Sequence, residues 1–112
     1  MRVYICTPII SRDRDESVVR ARVAELTKRL ADRGYEAVSH LDTPDKGKWA
    51  ERVGHNLSLL LESDGILLDC TRKTCRVCKI EETVAKEISG WKSFLTFHTK
   101  EEFDYINDKY VI

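Results

Sequence analysis

Three of the four cysteines fall within nine residues, in the stretch CTRKTCRVCKIEE (70–82). Cys70, Cys75 and Cys78 are spaced C-x4-C-x2-C, and Glu81 follows three positions after the last thiol. Thiols and a carboxylate this close allow three chemistries. They can ligate a soft divalent metal, cycle as a C-x-x-C dithiol, or form part of a loop that delivers Glu81 to a substrate as nucleophile or base. A closed zinc site takes four ligands, usually as two close pairs. No second C-x-x-C and no H-x3-5-H is present, so the fourth ligand would have to be Cys6, His40, His55 or His98. A thioredoxin-like pair follows the first strand of its fold and runs into a helix, whereas this pair follows the third apolar run. The expectation is therefore no metal and no cofactor, with Cys6 and Cys70 as small buried strand residues.

The elements that must position these groups follow from periodicity. RVYICTP (2–8) is a short apolar run ended by Pro8 and reads as a buried strand. From Ser17 to about Arg33, Val19, Val23, Leu26 and Leu30 make one helical face, and Gly34 is the stop. YEAVSH (35–40) reads as a second, weaker strand and 41–48 as a loop. A second helix is expected from Trp49 to Glu62, with Trp49, Val53, Leu57, Leu60 and Leu61 on one side. ILLDC (66–70) is a continuous apolar run, the mark of a strand covered on both faces. A third helix is expected from about Lys79 to Ser89, with Ile80, Val84, Ala85 and Ile88 facing in, then a strand at 93–98. The tail from 99 onward reads as a last helix and an edge strand.

Strand–helix alternation of this kind implies parallel strands with right-handed crossovers. The expected fold is α/β: one doubly wound, mainly parallel sheet of four to five strands flanked by helices, a three-layer Rossmann- or flavodoxin-like domain spanning 1–112. Ligands bind such sheets outside the carboxyl ends of the strands, near the reversal in strand order. Loops 6–16, 40–48 and 70–79 would line that site.

The totals set limits. At 112 residues and 42% hydrophobic, the chain has the length and composition of one soluble domain. Basic and acidic residues balance at 19 each, which argues against a nucleic-acid polymer as partner. No run approaches the roughly 18 apolar residues of a membrane helix, and Met1-Arg2 leads straight into a strand-length run without a signal-peptide core. The expected location is cytoplasmic, where cysteines stay reduced.

Several residues stand where ligands would bind. Glu81 is expected in the first turn of the third helix, at the carboxyl end of the sheet. Its plainer role there is to offset the positive end of the helix dipole, which Glu82 serves equally well. Asn56 is polar on an apolar-faced helix. Asp64 precedes the third strand, where capping or turn formation is the simple account. Ser11 and Arg12 lie on the first loop, where a hydroxyl, a guanidinium and backbone N–H groups can hold a phosphate.

With these residues in hand, the chain resembles the nucleoside 2-deoxyribosyltransferase-like family, which includes 2′-deoxynucleoside 5′-monophosphate N-glycosidases. VYICTPI is similar to its strand iYisGPm. AELTKRLADRGYEAVSH resembles its first helix and second strand, and NLSLLLESDGILLD its D-L-x-x-L-x-x-cD-x-i segment. CRVCKIEETVA resembles S-x-G-C-x-x-E-x-x-x-A. The resemblance implies cleavage or transfer of the N-glycosidic bond of a deoxynucleoside or its 5′-monophosphate. Glu81 would be the nucleophile, with Asn56 and Asp64 beside it as catalytic candidates. It implies substrate contacts from Tyr4, from Thr7, Pro8, Ser11 and Arg12 of the first loop, and from Cys75 and Cys78. It also implies a small-molecule partner and a homodimer or higher homo-oligomer. Two departures stand out. Asn56 occupies the place of the family's catalytic aspartate, and an amide is neither acid nor base. Val77 occupies the place of a glycine. Both favour the alternative of a non-catalytic nucleotide-binding module on the same fold.

Overall fold

In a computed structural model, residues 1–9, 15–42, 47–69 and 75–99 are described. Strand β1 is Arg2–Cys6, helix α1 Glu16–Ala31, strand β2 Glu36–Val38, helix α2 Trp49–Leu61, strand β3 Gly65–Leu68, helix α3 Arg76–Ser89 and strand β4 Leu95–His98. One 3-10 turn, His40–Asp42, follows β2.

The strands form a single parallel sheet in the order β2-β1-β3-β4. Val3, Tyr4, Ile5 and Cys6 are all buried, as are all four residues of β3. That continuous burial is what a strand with both faces covered requires. Alternation then divides the core in two. Val3, Ile5, Leu67 and Phe97 pack with Val19, Val23, Leu26 and Leu30 of α1. Tyr4, Cys6, Ile66 and Leu68 pack with Val53 and Leu60 of α2 and with Val77, Cys78, Ala85 and Ile88 of α3. The result is three layers. The chain leaves β1 toward β2 and then returns past it to β3, so the reversal in order lies at the β1–β3 pair. The carboxyl ends of these two strands mark the crevice.

Local chemistry explains most boundaries. Asp15 caps α1, its carboxylate accepting from the Ser17 N–H at 2.8 Å. Gly34 takes a left-handed φ of 84° where the chain turns into β2. At Gly65 a β-carbon would come within 2.8 Å of the Leu95 carbonyl oxygen, so only glycine lets β4 approach β3 this closely.

Three expectations are corrected. Helix α3 begins at Arg76, three residues before the expected Lys79, so Glu81 sits in the second turn and the first turn has no acidic residue. Trp49 and Leu61 are exposed, at 56% and 49%, and the buried face of α2 is Val53, Asn56 and Leu60. Ile80 and Val84 are half-buried at the edge of the core, and the inner face of α3 instead carries Val77, Cys78 and Glu81. The expected tail helix and edge strand lie outside the described residues. Among those described, no helix is long and apolar enough to cross a membrane.

Candidate functional site

Two buried carboxyl groups flank the carboxyl end of β1, one on each face of the sheet. Their surroundings differ.

Glu81 is on the α3 side and is 1% exposed. The alternation of β1 turns Tyr4 toward α3, and its phenol donates to Glu81 Oε2 at 2.8 Å. Cys6, the next β1 residue on that face, and Cys78, one helical turn before Glu81, complete the surroundings. Their sulfurs and a Glu81 oxygen all lie within 4.8 Å of one another, and the Cys6 thiol donates to the Cys78 carbonyl at 3.6 Å. Burial pushes the Glu81 carboxyl up to about 8, against the opposing pull of hydrogen bonds from Tyr4 and Cys6. Burial and the neighbouring carboxylate drive the Tyr4 phenol far above its ordinary range, so it stays a proton donor. Glu81 near neutral pH is thus largely a neutral acid. Once ionised, it is a poorly solvated carboxylate and a strong nucleophile or base.

Cys75 occupies the N-cap position of α3 and is 5% exposed. The Cys78 thiol, together with backbone N–H groups of Cys78, Ile9 and Val77, draws its pKa down to about 5 despite burial. The Cys78 thiol is raised by its contacts with Cys6 and Cys75 and by burial. Cys6, Cys78 and Glu81 form the one group among the described residues with the proximity to hold a metal ion. All three are buried and interlinked by hydrogen bonds, and they supply one donor fewer than a closed tetrahedral site.

Asp69 is on the α1 side, just past β3, and is fully buried. Thr7 donates its hydroxyl to Asp69 Oδ2 at 2.7 Å. Arg22 of α1 closes a two-pronged pair, Nε to Oδ2 at 3.0 Å and Nη2 to Oδ1 at 2.6 Å. Arg22 also reaches Glu25, which Arg29 holds in turn at 2.7 Å. This is a charged strut tying α1 to the ends of β1 and β3.

The structure brings together Glu81, Tyr4 and Cys78, with Cys75 against Cys78. Asn56 is 4% exposed on the α2 face that packs on the same side of the sheet. Thr7 faces Asp69 rather than Glu81, and Pro8 is buried beside it. Asp64 does not join the site. It lies at the opposite, amino end of the sheet, where its carboxylate accepts from the Arg2 N–H at 2.9 Å and its own N–H donates to the Arg2 carbonyl. That is the capping role a residue just before a strand commonly takes. Ser11, Arg12 and Cys70 lie outside the described residues.

Asp69 and Arg22 are not among the candidates that the sequence pattern offers. The signal for Asp69 was a charged residue closing the apolar run ILLD, at the end of the sheet where ligands bind. The signal for Arg22 was its place one position before Val23 of the inner stripe. Comparison with family models, with curated proteins and with solved structures gives no match.

Proposed function

We propose that the protein breaks the N-glycosidic bond of a deoxynucleoside or deoxynucleoside 5′-monophosphate, using Glu81 as nucleophile. The observation that carries the reading is the buried Tyr4–Glu81 hydrogen bond at 2.8 Å, at the sheet end where α/β folds bind ligands. It joins the two residues that the family resemblance puts beside the sugar. In the proposed step a Glu81 oxygen bonds to the anomeric carbon as the carbon–nitrogen bond breaks, and the base leaves with the electron pair and takes a proton from water. Water or a second base then displaces Glu81 from the ester. Tyr4 holds the carboxylate and orients one oxygen. Asn56 contributes hydrogen bonds and no proton transfer. Glu81 is shielded from solvent, so the sugar must open its own path to the carboxylate.

The test is a base-release assay on the common deoxynucleosides and their monophosphates, run beside Glu81→Ala. Release by the wild type should climb with pH through the range near 8 where Glu81 ionises. The variant should lose about a thousandfold or more. No release across the whole panel contradicts the reading. Thermal stabilisation by a nucleotide without release would favour the binding module instead.

A further inference from the structure

We infer that Cys75 and Cys78 form a reversibly oxidisable dithiol, in which Cys75 takes an oxygen from hydrogen peroxide and Cys78 closes an intrachain disulfide onto it. The inference does not depend on the glycosidic reading. It rests on position. Cys75 is the N-cap of the 14-residue helix α3, and Cys78 is the third residue of its first turn. The C-x-x-C spacing therefore sets both sulfurs on one turn, where they contact each other. The amides that start a helix favour negative charge on the first sulfur. Cys75 retains slight exposure, whereas Cys6 and Cys78 have none. A small oxidant therefore reaches Cys75 first.

The electrons balance without a further reagent. The Cys75 thiolate attacks one peroxide oxygen: a sulfur–oxygen bond forms, the oxygen–oxygen bond breaks, and hydroxide leaves to be protonated to water. The Cys78 sulfur then attacks the Cys75 sulfur, and the hydroxyl departs with the Cys78 proton as a second water. A Glu81 oxygen within 4.8 Å of the Cys78 sulfur is placed to relay that proton. Two thiols are oxidised and one hydrogen peroxide is reduced to two waters. The Cys6 sulfur also lies within 4.8 Å of the Cys78 sulfur, but it has no solvent exposure and is held at the end of β1, paired with Leu68.

Trypsin separates all four cysteines, into peptides 3–12, 53–72, 74–76 and 77–79. The full chain is treated with equimolar hydrogen peroxide, alkylated and digested. The expected product is a 74–76 to 77–79 cross-link that dithiothreitol removes. Cys6→Ser should leave its yield unchanged. Cys78→Ser should lose it and leave Cys75 reactive toward a sulfenic-acid probe. In urea, where the helix start is gone, the cross-link should form at least about tenfold more slowly. A cross-link from 3–12 or 53–72, four free thiols after treatment, or an equal rate in urea overturns the inference.

Discussion

Asp69 and Glu81 are both carboxyl groups with almost no solvent contact, at the same end of the same sheet. They differ in partners. Asp69 meets a guanidinium fork and a hydroxyl, so its charge is matched where it is buried. Glu81 meets a phenol and two thiols in place of a guanidinium, and burial, with the charge of Cys75 adding to it, raises its pKa to about 8. Burial alone therefore does not make a reactive group. A full counter-charge makes a buried carboxylate a structural strut, and withholding that charge leaves the carboxyl poised between acid and nucleophile.

Among single substitutions, breaking the α1 side should have the largest effect on stability at neutral pH. Arg22→Ala strands the Asp69 charge and should cost about 3 kcal/mol of unfolding free energy in urea titrations. A loss under about 1 kcal/mol would mean that Arg22 is not what holds that charge.

The second test is the pH dependence of stability on the α3 side. The Glu81 carboxyl is raised from 4.5 to about 8 in the folded protein. Below 4.5 both states are protonated, and the stability from Glu81 is fully present. As pH rises from there through about 8, the unfolded chain has released a proton that the folded chain still holds, and that stability is lost. The slope approaches about 1.4 kcal/mol per pH unit at its steepest. Glu81→Gln should remove this slope, which chemical denaturation of both proteins across the range would show. Parallel curves would contradict the assignment.

Tyr4→Phe is a finer test. The phenol stabilises the charged form of Glu81, so its loss should raise the Glu81 pKa further, by about one unit. The alkaline rise in base release should move with it. The smallest effect is expected at the far end of the sheet. Asp64→Ala gives up one hydrogen bond to the Arg2 backbone, worth about 1 kcal/mol, and should leave base release unchanged. A large loss of release there would bring Asp64 back as a catalytic residue.

Legibility in the sequence followed burial pattern. The α/β alternation, all four strands and the α1 stripe Val19–Val23–Leu26–Leu30 could be read because each is a clean apolar period bounded by Gly, Pro or charge. The α2 face is not legible because Leu57 and Leu59–Leu61 put leucine on nearly every side, so periodicity cannot choose among them. The start of α3 is not legible because Cys75 at the N-cap is not a preferred capping residue. Glu81 is singled out by its place after the third strand. Its phenol partner, 77 residues away in sequence, came from the resemblance and not from any local pattern. The Asp69–Arg22 pair, 47 residues apart, could not be read, because a charge at the end of an apolar run has many solvated alternatives.

The contrast between the two carboxyls rests on the protonation of Glu81. Carbon-detected NMR of the Glu81 side-chain carboxyl, followed through a pH titration of the folded protein, measures it directly. The expected midpoint is near 8, moving higher in Tyr4→Phe. A midpoint in the ordinary range near 4.5 would show a charge already matched in the resting fold, and would contradict it.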